Sequence, residues 1–313
     1  MSVAEPSLAA LPNPLQRYFL ATRPPFLAAS AVPVLIGVAL AHFSGIAIDT
    51  VLALLTLIGA VVIHAGVNVL NDYYDALNGT DELNHERLFP FTGGSRFIQN
   101  GVLSLQDTAR FGAALLATGA LIGLWLLFHS GSGLIVIGLL GLFIGWAYSA
   151  PPFALNSRGL GEMCVASCFG LLIVSGADYV QRHHFDPLPL FASLPYALLA
   201  TALLYINQFP DRSADEQAGK HHWVVRLGVR RARWGYLILV AVAYGILPVL
   251  VLLRLLPVWS LLGMLPLPLS MKAALTLLNH AHDLPKLSPA IVQTIQALLA
   301  HGILVALGLW LAA

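Results

Sequence analysis

Two aspartate motifs carry most of the chemistry that this chain can offer. The first is His64-Ala-Gly-Val-Asn68-Val-Leu-Asn71-Asp72-Tyr73-Tyr74-Asp75. Its polar residues recur at i, i+4, i+7, i+8 and i+11, which places His64, Asn68, Asn71, Asp72 and Asp75 on one face of a helix. Asp81 and Glu82 follow after Gly79. The second is Asn207-Gln208-Phe209-Pro210-Asp211-Arg212-Ser213-Ala214-Asp215, whose Asp211 and Asp215 share a face if the segment is helical. Both contain Asn-x-x-x-Asp with an aromatic residue two places after the Asn, a hint of internal duplication. Clustered carboxylates repel one another unless a cation sits among them. Mg²⁺ suits such a cluster, because it takes hard oxygen ligands from one or two carboxylates together with substrate phosphate. Two motifs on separate helices could therefore clamp a diphosphate through magnesium. Arg96, Arg158, Lys220 and Arg226 would neutralise the remaining charge. A single Asp at a helix end commonly just caps it; the matched pair on polar stripes argues for a site.

The elements that position these residues must cross a membrane. Of 313 residues, 58% are hydrophobic and only 10% charged, against about 25% charged in soluble proteins. That excludes a cytosolic enzyme and a disordered chain. Lys+Arg 16 against Asp+Glu 15 leaves no basic field, so nucleic acid is not a partner. Two cysteines, Cys164 and Cys168, rule out a disulfide scaffold and are read as packing. The histidine pairs lack further ligands at metal spacing, so zinc is not expected.

A spanning helix needs about 20 mostly apolar residues. Nine such stretches occur, near 25–43, 50–71, 108–128, 132–150, 160–180, 188–209, 233–254, 257–278 and 290–312. Pro257, Pro266 and Pro268 make the eighth a kinked span. With the N-terminus inside, only Arg182 and Arg254 fall on the outer face, which satisfies the positive-inside bias. The reading is an all-α, nine-span, N-in/C-out bundle forming one domain over 1–313. The long connections 72–107 and 210–232 share its cytoplasmic face. The first span is too long for a cleaved signal peptide, and the lack of a targeting segment points to a bacterial inner membrane.

These motifs resemble those of the UbiA superfamily of intramembrane aromatic prenyltransferases over nearly the whole chain. Arg23-Pro24-Pro25-Phe26, Tyr148-Ser149-Ala150-Pro151-Pro152, Arg158-Gly159-Leu160-Gly161-Glu162, Gly219-Lys220 and Val225-Arg226-Leu227-Gly228 are similar too. Asn-Asp-Tyr-Tyr-Asp looks most like the 1,4-dihydroxy-2-naphthoate branch, although many members carry an Asp where this chain has Gly79. The resemblance implies Mg²⁺-dependent transfer of a prenyl group from a polyprenyl diphosphate to an aromatic acceptor at the bilayer. Asn71, Asp72, Asp75, Asp211 and Asp215 would then hold magnesium. Arg23, Arg96, Arg158, Lys220 and Arg226, with Asn68 and Asn207, would line the substrates. Lys220 and Arg226 serve equally well as positive-inside anchors. Tyr148 either shields an allylic cation or anchors the interface. His64 either binds an acceptor hydroxyl or is buried against a neighbouring helix.

Other acceptors stay open: 4-hydroxybenzoate, a homogentisate-like ring, a tetrapyrrole or a lipid alcohol. From another class, an ion-coupled secondary transporter also uses intramembrane carboxylates, though nearer the midplane.

Overall fold

The computed structural model describes residues 4–313. Among these residues every regular element is helical. A short interfacial helix, α1 (Pro14–Ala21), precedes α2 (Pro24–Phe43) and α3 (Thr50–Leu77). A loop containing one turn of helix, α4 (Thr80–Leu83), leads into α5 (Leu105–Ser130) and α6 (Leu134–Ala147). Then come α7 (Gly161–Arg182), the short α8 (Leu188–Ala192), α9 (Leu194–Gln217), α10 (Trp223–Leu252), α11 (Val258–His280) and α12 (Leu284–Ala312).

Seven of these helices (α2, α3, α5, α7, α10, α11 and α12) are long and apolar enough to cross a membrane. The chain is an integral membrane protein. The two remaining expected spans are helices of a different kind. α6 has only 14 residues, about 21 Å against about 30 Å of hydrocarbon. The Tyr148-Ser149-Ala150 tail of the expected 132–150 span leaves the helix ahead of Pro151-Pro152, since the residue before a proline disfavours the helical region. α9 runs on through Pro210 to Gln217, so its last turns carry charge instead of ending near 209.

Three local features shape the bundle around the aspartates. α10 is broken at Gly228 (φ 68°), five residues before the expected start of its apolar run at 233. The α11 segment opens as a 3₁₀ turn, Val258–Met264, before Leu267–His280, in keeping with its prolines. α7 contains a π-helical stretch, Ala166–Leu172, a widening that recurs at functional sites. The ring of Phe169 in that stretch meets His64 edge-on at 4.8 Å.

α3 packs along α5, α2 along α7, and α9 against α10 and α12. Buried aliphatic and tyrosine side chains from α2, α9, α10 and α12 form the main core, among them Ile36, Tyr196, Tyr205, Tyr236 and Leu298. At the end remote from the aspartates, Gln181 bonds both the backbone N–H and C=O of Asp49, at 2.8 and 3.2 Å. Arg182 pairs there with Asp178 at 2.8 Å and donates to Ser44. This network ties the α2–α3 turn to the end of α7.

Candidate active site

Both aspartate motifs, with the loops that follow them, meet at one end of a cavity of about 720 Å³. One wall is the α3 stripe, from Thr56 through Gly59, Ile63, His64 and Asn68 to Asp75. The nineteen steps from Thr56 to Asp75, at about 1.5 Å each, make this wall about 28 Å long, close to the hydrocarbon thickness. The far part is lined by aliphatic residues and glycines of α5, α6 and α7. Cβ atoms added at Gly123, Gly138 and Gly141 would meet nothing within 4 Å.

The polar end is built by hydrogen bonds that orient carboxylates. Asn71 donates through Nδ2 to Asp75 Oδ2 at 3.2 Å and to Ser149 Oγ at 3.0 Å. Asn68 Nδ2 donates to the Thr22 carbonyl at 3.1 Å and so fixes the turn before Arg23. Lys220 bridges the motifs, its Nζ 2.7 Å from Asp75 Oδ1 and 3.4 Å from Asp215 Oδ1. Burial opposes the charge on Lys220, but Asp75 and Asp215 overcome it and raise its pKa. His222 Nε2 lies 3.1 Å from Asp215 Oδ2, and Asn84 Nδ2 donates to Asp211 Oδ1 at 2.6 Å. Asp211 and Asp215 do share a helical face, because α9 continues through both.

The two motifs are not local copies of each other. Asn71 bonds its own aspartate, whereas Asn207 Oδ1 has no partner and Asp211 is held by Asn84 from another loop. Asp72 also behaves differently from its neighbour. It is clamped by Arg23 and by the Ser95 N–H, 3.3 Å from each carboxylate oxygen, and lies behind the cavity lining. Burial alone would lower the Arg23 pKa, yet Asp72, Asp81 and Asp75 together raise it. Arg23 itself is in the left-handed region at φ 57°, a strained position for a non-glycine residue.

Tyr148, His64, Asn68, Asn71, Asn207, Lys220 and Arg23 all line the cavity. Three expected phosphate contacts do not. Arg158 and Arg226 are exposed and spend their donors on backbone carbonyls: Arg158 on Pro152, Arg226 on His221 and Arg158. Arg96 is buried, donates to the Asp81 carbonyl and approaches Glu5 at 3.9 Å. It supports the loop and stands off the cavity. Cys164 and Cys168 also differ from expectation, since both form part of the cavity wall rather than packing alone.

Residues that the motif reading missed complete the site. Asp81 lies in the lining, 3% exposed. Burial, then the Asp75 and Asp72 charges, push its carboxyl well above the usual range. The loop closes over it because Gly94 (φ 74°) has no side chain: a Cβ there would be 2.6 Å from Asp81 Oδ2. Asn84, Asn156, Gln208 and His222 line the same end. The i+6 spacing of Asp81 from Asp75 follows no helical period, so the sequence named it without giving it a role.

A profile of the UbiA prenyltransferase family matches residues 30–289. The chain belongs to this family. It is therefore a prenyltransferase, which sets aside the transporter. It is 32% identical over 305 residues to the 1,4-dihydroxy-2-naphthoate octaprenyltransferase of Escherichia coli, covering 95% of this chain and 96% of that one. It is 32% identical over 238 residues to the UbiA prenyltransferase domain-containing protein 1 of Dictyostelium discoideum, covering 74% and 69%. A solved UbiA homologue from Archaeoglobus fulgidus, bound to GPP and Mg²⁺, superimposes with TM-score 0.61 at 16% identity, covering 92% of this chain and 99% of that one. At that identity it supports the UbiA fold.

The donor set suits magnesium. Five aspartates gather around two cations, Arg23 and Lys220, which leaves an excess of hard anionic oxygens. Asn84 Oδ1 and Asn207 Oδ1 are buried without donors among the described residues. Among the described residues no three His, Cys, Asp or Glu side chains close around a single point. Oxygens of a bound diphosphate would add to the ligands that this end of the cavity offers.

Proposed function

We propose that this enzyme transfers a polyprenyl group from its diphosphate to 1,4-dihydroxy-2-naphthoate, with Mg²⁺, at the cytoplasmic face of a bacterial inner membrane. The observation that carries the reading is one cavity with an aspartate-lined end continuous with a long apolar end. The name of the Escherichia coli relative, matched over nearly both whole chains, supports the naphthoate. The topology that goes with it has nine spans, N-in and C-out, with α6 and the apolar part of α9 as the fourth and sixth.

In this reading Asn71, Asp75, Asp211 and Asp215 would hold magnesium, with Asp81 beside them and Asp72 positioning Arg23. When bound, the ion would supply charge neutralisation to the diphosphate leaving group. Arg23 and Lys220 meet the remaining phosphate oxygens, with their charge already held in place by the aspartates. The Tyr148 ring offers its π face to the developing carbocation, and the apolar walls keep water away from it. The naphthoate ring carbon bonds to the prenyl carbon, and its carboxylate leaves as CO₂, returning the electron pair to the ring. His64 has one ring nitrogen engaged by Ser30 at 3.1 Å, leaving the other for an acceptor hydroxyl.

The test is transfer of a labelled prenyl group in purified membranes, with and without Mg²⁺, offering dihydroxynaphthoate and 4-hydroxybenzoate in parallel. Magnesium-dependent labelling of the naphthoate is expected. Labelling of the benzoate alone would move the enzyme to another acceptor, and labelling independent of Mg²⁺ would overturn the role given to the aspartates.

A further inference from the structure

Gln208 and Glu162 form a buried pair for which the diphosphate chemistry has no use. Glu162 is in the first turn of α7, 2% exposed, and Gln208 is on α9, 7% exposed, in the cavity wall. Glu162 Oε1 accepts from Gln208 Nε2 at 2.9 Å and from the Trp223 N–H at 3.2 Å. The Trp223 N–H can only donate, so Glu162 Oε1 is an acceptor; the Gln208 amide nitrogen therefore faces it and the amide oxygen turns away. That oxygen, Gln208 Oε1, is buried and finds no donor among the described residues. Buried carbonyl oxygens nearly always have one.

The missing donor has a restricted chemistry. Diphosphate offers acceptors only, and Asp211 and Asp215, about one and two turns further along α9, already supply the anionic oxygens. Gln208 lies at the level of Tyr148: Gly161, next to Glu162, would place a Cβ 3.7 Å from the Tyr148 hydroxyl. In the reading above Tyr148 faces the developing carbocation, so a group beside it would lie near the acceptor ring. An amide oxygen whose nitrogen is already engaged can accept a ring hydroxyl there.

We propose that Gln208, oriented by Glu162, accepts a hydrogen bond from a ring hydroxyl of the aromatic co-substrate, and so sets the enzyme's requirement for a hydroxylated ring. Gln208 touches the substrate; Glu162 is a positioning residue. The inference rests on the prenyltransferase reading above and adds the determinant of ring specificity.

Two measurements test it. In the first, equilibrium binding of dihydroxynaphthoate to the wild-type protein in detergent is compared with that of a naphthoate lacking the ring hydroxyls. Binding is read rather than turnover, since removing hydroxyls also deactivates the ring. The deoxy ring is expected to bind about tenfold more weakly or worse; equal binding overturns the inference whatever the variants do. In the second, Gln208→Leu is compared with the reciprocal swap Glu162→Gln/Gln208→Glu, which keeps an acceptor at 208, a donor facing it and the same charge. Gln208→Leu should lose about tenfold in kcat/KM for the ring, with the KM for prenyl diphosphate and the Mg²⁺ dependence within about twofold of wild type. The swap should recover most of that loss. A loss that falls on diphosphate or Mg²⁺ instead would make Gln208 a metal ligand and overturn the proposal. A swap no better than Gln208→Leu would overturn the orienting role of Glu162. Binding of magnesium pyrophosphate by the wild type separates the two levels: its absence defeats the functional reading, whereas its presence with indifference to ring hydroxyls defeats this inference alone.

Discussion

Replacing Lys220 with methionine removes the ammonium that lies between the two aspartate motifs while keeping most of the side-chain volume. Its Nζ is 2.7 Å from Asp75 Oδ1 and 3.4 Å from Asp215 Oδ1, so these oxygens are at most about 6 Å apart. Two unit charges at about 6 Å repel by about 3 kcal/mol at an effective dielectric near 20. Wild type offsets this repulsion with the ammonium at a desolvation cost that the variant no longer bears, which leaves about 2 kcal/mol of destabilisation in the metal-free protein. For a chain of this size that is a fall of about 5 °C in apparent melting temperature. Magnesium, entering among the same carboxylates, should replace the lost neutralisation. The melting temperature of Lys220→Met should therefore rise more steeply with Mg²⁺ than that of wild type, measured in detergent against an EDTA baseline. Transfer should still fall, because the diphosphate loses a cation that Mg²⁺ at the aspartates does not replace. A variant that melts with wild type in EDTA and responds identically to Mg²⁺ would refute the argument that Lys220 balances the cluster.

Asp211→Asn and Asp75→Asn should each abolish Mg²⁺-dependent transfer while the protein stays folded in detergent; full turnover in either would sink the magnesium assignment. Gly141→Trp places a large ring where an added Cβ meets nothing within 4 Å, so long prenyl donors should lose turnover much more than short ones. Equal effects across donor lengths, by product analysis, would show that the tail does not run past α6. The raised pKa of Asp81, caused by burial and then by Asp75 and Asp72, makes its neutral form the stabilising one. That contribution is complete below the ordinary carboxylate range, about pH 4, and is lost as pH rises through the raised value. Apparent melting temperature in EDTA should thus decline with rising pH over that interval, and Asp81→Asn should flatten the decline; parallel profiles would contradict it.

Much of this architecture was legible from local pattern, because lipid imposes a local rule. A segment that crosses hydrocarbon must be apolar and satisfy its own backbone, and helical spacing then decides which residues share a face. The runs that became α2, α3, α5, α7 and α12, the α3 stripe from His64 to Asp75, and the shared face of Asp211 and Asp215 all followed from that. What only the tertiary structure decided were the pairings between distant segments. Asp72 is turned onto Arg23 while Asp75, three residues on, faces the cavity. Asp81 enters the site because Gly94 lets a loop close on it. Arg158 and Arg226 were equally basic and on the right side, yet they bind backbone carbonyls outside the cavity. Gln208 meets Glu162 across 46 residues of sequence. Composition and period report what each segment's solvent demands of it, whereas a side chain's partner depends on helices packing against one another, which no local window contains.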